Sequence, residues 1–108
     1  MRATAILLLA LAFSGSALAG GNAEKGKAKA AQVCAACHGA DGAKPVAPEN
    51  PILAGQYADY LVKALHDYKT GKRANPVMKT FADQLSQQDM EDVAAWFASQ
   101  KSSLHFQR

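Results

Sequence analysis

The sequence contains only two cysteines, Cys34 and Cys37, and this scarcity limits what the thiols can do. A zinc site requires two further ligands at a recognisable spacing, but His66 and His105 each stand alone in the sequence. A thioredoxin-like redox pair is typical of a βαβ pattern, whereas the residues before Cys34 are rich in lysine and alanine and carry no strand signal. A disulfide between the two would close a single turn and stabilise the chain little. These uses stay open as the weaker alternatives.

A strong net charge is also absent. Lysine and arginine together number 12 against 9 acidic residues, which gives a formal net charge of +3. The overall charge therefore gives no case for binding nucleic acid or a membrane surface. At 108 residues the chain forms one domain at most, with a thin core unless something else fills it.

No apolar run is long enough to span a bilayer comfortably. The longest, Ala5 to Phe13, follows the basic Arg2 and precedes Ala17-Leu18-Ala19, a small-x-small cleavage site. We interpret residues 1–19 as an export signal that is cleaved after Ala19, with an uncleaved membrane anchor as the alternative. Residues 20–108 are then the mature domain, and residues 102–108 are predicted to be a loose tail.

The motif Cys34-Ala35-Ala36-Cys37-His38 gives the two thiols their most specific interpretation, because CxxCH is the attachment pattern of c-type haem. On one helical turn, Cys34 and Cys37 can form thioethers with the two vinyl groups on one edge of a porphyrin. His38 can then turn under the ring and supply a neutral imidazole nitrogen to the iron. The sequence therefore predicts one covalently bound haem c.

Helix signals flank this motif on both sides. Asn22 is placed to cap a first helix that runs to about Val33, in which Gly26 predicts the close approach of another helix. After an irregular loop over residues 39–51, apolar spacing predicts a helix over 56–70 that stops at Gly71. A final helix, which begins at Ser86 with a capping-box pattern, runs to about residue 100.

The segment 72–86 is predicted to be a second functional loop. Met78 there is expected to give its sulfur to the iron as the second axial ligand, since thioethers are haem ligands. His66 and His105 are the alternative ligands, and Met90 is expected to pack in the core. In the haem environment we expect Leu53 to pack on the ring and Arg73 to pair with a propionate, or else to be a solvated charge. The carbonyl of Pro51 is a candidate acceptor for the second ring N–H of His38, although Pro51 equally serves simply to end its loop.

With CxxCH, a loop methionine and a C-terminal amphipathic helix, residues 20–100 resemble the class I c-type cytochromes. Leu53-Ala54-Gly55-Gln56-Tyr57 further resembles the small bacterial cytochromes that are similar to one half of the dihaem periplasmic type. The resemblance implies an all-α, cytochrome c-like fold, with three main helices and loops around one haem. Cys34 and Cys37 match the attachment cysteines, His38 and Met78 the axial iron ligands, and Gly26 and Trp96 the crossing of the first and last helices.

What the resemblance implies for function is one-electron transfer in the periplasm by a monomeric carrier that is not an enzyme. Its partners are expected to be redox protein donors and acceptors that can carry acidic docking patches. The basic residues that can attract such an acidic partner, unless they are ordinary surface charges, are Lys44, Lys72, Arg73 and Lys79. Neither nucleic acid nor stable membrane insertion is expected. The alternatives are a haem subunit of a periplasmic oxidoreductase and a ligand-binding haem sensor or peroxidase.

Overall fold

A computed structural model describes residues 20–102 of the chain. This part is all helical and contains no strand, which confirms the expected all-α class. The helices are α1 Ala23–Val33, α2 Ala35–His38, α3 Ala58–Thr70, α4 Pro76–Ala82 and α5 Gln87–Ala98. The export signal predicted over 1–19, and most of the predicted tail with His105, lie outside the described residues.

The first and last long helices cross at Gly26. The Asn22 side chain caps α1 by accepting a hydrogen bond from the backbone N–H of Lys25 at 3.0 Å, as the sequence predicted. A Cβ at Gly26 would come within 1.9 Å of the backbone oxygen of Asp92 and 3.0 Å of the Trp96 Cβ on α5. Glycine is therefore required at this position by the close approach of the two helices, which confirms the predicted packing.

Helix α5 begins with a complete capping box. The Ser86 hydroxyl accepts from the backbone N–H of Asp89, and the Asp89 carboxylate accepts from the backbone N–H of Ser86, each at 3.0 Å. The buried face of α5 carries most of the main hydrophobic cluster, which consists of Ala30, Leu61, Val93, Ala94 and Phe97. The predicted capping box and apolar stripe are thus both present.

The segment after α3 differs from the prediction. Helix α3 begins at Ala58 rather than residue 56 and stops at Gly71, whose φ of 84° is in the left-handed region. The stretch predicted as a loop then contains α4, with Pro76 in its first turn and the Asn75 side chain accepting from the backbone N–H of Met78 at 3.0 Å. Met78 therefore lies on a short helix and not in a loop. Proline ends one helix but is also well suited to begin the next.

The long segment between α2 and α3 is hydrogen-bonded to both α2 and α5. The backbone N–H of Val46 donates to the Cys37 carbonyl at 3.0 Å, and that of Gly55 donates to the Phe97 carbonyl at 2.9 Å. The Gly42 carbonyl accepts from Leu53 at 2.9 Å. These bonds hold the loop against α2 and α5 and so fix the position of Pro51. Among residues 20–102, none of the helices has the length and apolar character needed to cross a membrane.

Candidate functional site

A cavity of about 680 Å³ lies between α2, the loop that follows it, α3, α4 and α5. Its volume is in the range of sites that hold organic cofactors, roughly 300–1,000 Å³. All seven residues predicted for the haem site line this one cavity: Cys34, Cys37, His38, Pro51, Leu53, Arg73 and Met78. The fold thus brings together side chains that are separated by as many as 44 positions in the sequence.

His38 is the most firmly held of these residues. It ends the short helix α2, is only 6 % exposed, and its Nδ1 donates to the Pro51 carbonyl oxygen at 2.9 Å. A carbonyl can only accept, so the ring proton must be on Nδ1, and Nε2 of the neutral imidazole keeps a lone pair for a metal. Pro51 therefore does more than end its loop: its carbonyl fixes the tautomer and the orientation of the ring.

The two thiols lie at the start and near the end of the same helical turn. Cys34 precedes α2 and Cys37 is within it, and the structure places no disulfide between them. Burial raises the pKa of the Cys34 thiol to about 11. Reactive redox cysteines have lowered pKa values instead, so this environment argues against a thioredoxin-like pair. Asn50 also supports the turn, because its side-chain amide donates to the Cys37 carbonyl at 3.2 Å.

Met78 is the methionine that lines the cavity. Met90 lies on α5, is 1 % exposed and packs in the core, as the sequence predicted. His66 is exposed on the side of α3 that borders a different, open groove together with Asp59 and Glu91. Among the candidate second ligands in residues 20–102, the geometry favours Met78.

Arg73 is held at the cavity wall by two tyrosines. Its Nη1 donates to the Tyr60 hydroxyl at 3.4 Å, and its guanidinium carbon lies 4.8 Å from the centre of the Tyr68 ring. Of the four basic residues considered for docking, Arg73 lines the cavity, whereas Lys79 is paired with Asp83 at 3.1 Å. Lys79 is therefore partly neutralised in place.

Sequence reasoning missed two contributions to this site. Phe81 of α4 lines the cavity, but the helix that carries it was predicted as a loop. Asn50 was not singled out, because an asparagine in a proline-rich loop is an ordinary turn residue and only the fold brings it to Cys37. The position of Asn50, directly before Pro51, the candidate acceptor for His38, was the one available signal.

The residues present fit a covalently attached porphyrin. One largely apolar cavity is lined by two thiols on one helical turn, by an imidazole and by a thioether. The Nδ1 atom of the imidazole is already hydrogen-bonded to the Pro51 carbonyl, which leaves Nε2 for a metal. Elsewhere in residues 20–102, no group of three or more histidine, cysteine or acidic side chains is arranged to hold a metal ion. The donor set is that of haem iron rather than of a tetrahedral zinc site.

The fold and the site together define a c-type haem protein. The chain belongs to the cytochrome c family, whose sequence profile matches residues 23–101. Its cofactor is therefore haem c, bound covalently. It is similar to cytochrome c4 of Pseudomonas aeruginosa, with 55 % identity over 98 residues that cover 91 % of this chain and 48 % of the relative.

A second relative and a solved structure extend the comparison. The thiosulfate dehydrogenase electron acceptor of Stutzerimonas stutzeri is 47 % identical over 66 residues, or 61 % of this chain and 31 % of the relative. The crystal structure of cytochrome c4 from Pseudomonas stutzeri superposes with a TM-score of 0.70 at 46 % identity, over 78 % of this chain and 48 % of that one. The chain thus spans about half the length of the cytochrome c4 proteins it matches. The expected similarity to one half of the dihaem type is confirmed.

Proposed function

We propose that this protein is a periplasmic electron carrier with one haem c, held axially by His38 and Met78 and covalently by Cys34 and Cys37. The observation that carries the proposal is that these four side chains line a single cavity. Haem c supplies one-electron chemistry at its iron. The similarity to a protein named as the electron acceptor of a dehydrogenase supports the same role.

The residues of the chain keep the site closed to other reactions. His38 is fixed by the Pro51 carbonyl, so its imidazole holds one orientation. With haem bound, Met78 would supply the second protein ligand to the iron, which would leave no open site for dioxygen or peroxide. A thioether opposite a histidine also raises the reduction potential. A site with both axial positions filled by the protein supports electron transfer rather than catalysis.

Arg73 is proposed to stabilise the propionate side of the cofactor. Its guanidinium is held at the cavity wall by Tyr60 and Tyr68, which leaves N–H groups available to a carboxylate. Leu53 is proposed to pack on the ring, since it both lines the cavity and packs against the buried cluster of α1, α3 and α5.

One relative is named as the electron acceptor of thiosulfate dehydrogenase, and this name favours a carrier that works with a dehydrogenase, either free or as its haem subunit. The export signal predicted from the sequence supports a periplasmic location for such a partner. Size-exclusion chromatography of the native extract separates the two cases, because a free carrier elutes as a small red monomer.

A redox titration of the purified, exported protein tests the proposal. A reversible one-electron transition, together with a reduced form that does not bind carbon monoxide at neutral pH, is the expected result. Ready binding of carbon monoxide by the reduced protein contradicts it, because an accessible iron indicates a sensor or a peroxidase. A transition that is not one-electron contradicts the assignment of a single haem.

A further inference from the structure

Helix α4 carries Met78 but has little to hold it in place by itself. It is only seven residues long, and helices of this length are marginal in water without tertiary support. Val77, Lys79 and Thr80 are exposed, and Ala82 is the buried residue of the helix. Besides the Asn75 cap on its backbone N–H and the buried Ala82, the position of Met78 depends on bonds from neighbouring segments.

The first such bond comes from Lys79, next to Met78. Its Nζ donates to the Lys69 carbonyl at 3.0 Å and to the two carboxylate oxygens of Asp83 at 3.1 and 3.2 Å. The Lys69 carbonyl belongs to the last turn of α3, where backbone carbonyls have no partner within the helix. Lys79 therefore joins the middle of α4 to the end of α3.

The second bond comes from Lys69 itself. Its Nζ donates to the Leu85 carbonyl at 2.6 Å, in the turn between α4 and α5. Leu85 is 2 % exposed, so its carbonyl is in surroundings where a missing hydrogen bond is costly. Lys69 thus makes two bonds: its backbone carbonyl accepts from Lys79 of α4, and its side-chain ammonium donates to the Leu85 carbonyl after α4.

We propose that Lys69 and Lys79 are positioning residues that hold α4 so that the Met78 sulfur stays on the iron. The proposal rests on the proposed function, since it takes Met78 as the second axial ligand. Neither lysine is required to touch the cofactor. Lys79 of α4 bonds to the backbone at the end of α3, and Lys69 of α3 bonds to the backbone of the turn after α4, so the two bonds attach both α4 and the turn that follows it to α3.

The test measures how fast cyanide replaces Met78 in the oxidised, haem-loaded protein, together with the weak far-red absorption band of the sulfur–iron bond. Loss of a bond to a partly buried carbonyl predicts about tenfold faster cyanide binding in Lys69→Met, with a weaker band. Lys79→Met is expected to change both in the same direction. Lys69→Arg, which keeps a donor of similar reach, should restore both towards wild type.

Two control variants separate positioning from charge and from general stability. Lys63→Met removes the same charge from α3, but Lys63 pairs with Asp67 on its own helix. Asn22→Ala removes the cap of α1 and lowers global stability without touching α4. Lys63→Met carries the same change in charge, so faster cyanide binding confined to Lys69→Met and Lys79→Met is not an effect of charge alone.

The inference is overturned if Lys69→Met and Lys79→Met bind cyanide no faster than Lys63→Met and Asn22→Ala. If Lys69→Met does not fold, Lys79→Met decides alone, because its side chain is exposed. A wild-type protein that shows the far-red band while the lysine variants match the controls contradicts this inference and leaves the proposed function standing. A wild-type protein without the band contradicts both.

Discussion

Gly26 of α1 lies against the backbone of Asp92 of α5, so closely that a Cβ at position 26 would come 1.9 Å from the Asp92 carbonyl oxygen. Asp92 is only 5 % exposed, and its carboxylate oxygen Oδ1 accepts from the backbone N–H of Asn22 at 2.7 Å. The first and last long helices, α1 and α5, are therefore joined at one crossing. The cavity depends on this crossing, because α5 supplies part of its wall.

Gly26→Ala should destabilise the haem-loaded protein by about 2 kcal/mol or more, because the obstacle is backbone and cannot rotate away. For a domain of this size that corresponds to a fall of roughly 10 °C in Tm. Ala31→Ser is the control, since it adds one heavy atom at an exposed position of the same helix. Equal Tm values for the two variants would show that the helices do not need this close approach.

The capping box of α5 should make stability depend on pH in the acid range. The bond from the Ser86 backbone N–H lowers the pKa of Asp89 below its ordinary value. A carboxyl with a lowered folded-state pKa stabilises the fold above the unfolded pKa of about 3.9, and this contribution is lost as pH falls through the folded value. Asp89→Asn should therefore cost up to about 1 kcal/mol at pH 7, and this difference should shrink as pH falls through the lowered folded-state pKa of Asp89.

Urea unfolding of the haem-loaded protein, at pH 7 and again at a pH below the folded-state pKa of Asp89, measures this difference. Ser86→Ala is the matched comparison: it removes the hydroxyl cap on the Asp89 N–H, a bond that does not titrate, together with the smaller lowering of the Asp89 pKa by the Ser86 side chain. Its penalty of about 1 kcal/mol should largely persist at low pH. A penalty for Asp89→Asn that is the same at both pH values contradicts the assigned role of the carboxylate.

The elements with local signals were predictable from the sequence. Asn22 before an alanine-rich run, and Ser86 three positions before Asp89, each carry a capping pattern within a few residues. The proposed ligand set rests on CxxCH and on Met78, which the fold brings to the same cavity. The capping patterns were predictable because each lies within about one helical turn.

Features that depend on distant parts of the chain were not predictable. Pro76 was interpreted as a sign of a loop, but it begins α4. The sequence around Pro76 does not reveal this helix, since a bond that supports it comes from Lys69 in α3. Lys79 was considered a docking charge, whereas its ammonium is bonded to Asp83 and the end of α3. Sequence left two roles open for Pro51, and only the fold brings its carbonyl to His38.

Removal of both attachment cysteines should leave the chain largely unfolded. The main buried cluster is small, and the apolar walls of a cavity of about 680 Å³ would face water in the haem-free chain. Cys34→Ala/Cys37→Ala is therefore expected to show no cooperative thermal transition by circular dichroism. Cys37→Ala alone, which keeps one thioether, should still fold with haem. A cooperative transition in the double variant contradicts the prediction.

Arg73→Met should lower the reduction potential, because a cation beside the cofactor favours the reduced and less positive iron. An exposed charge of this kind is expected to change the potential by about 20–40 mV at low ionic strength. Lys25→Met loses the same charge from an exposed position on α1, away from the cavity, and should shift the potential less. Equal shifts for the two variants would remove the case for a propionate contact.

The absorption spectrum of the oxidised protein tests the central assignment of His38 and Met78 most directly. The wild-type protein should show the weak far-red band of a sulfur–iron bond at neutral pH, and Met90→Ala should keep this band while losing about 2–5 kcal/mol of stability. Met78→Ala should lose the band and become high-spin and open to added ligands. A band that is absent from the wild type, or that survives in Met78→Ala and disappears in Met90→Ala, would contradict the account.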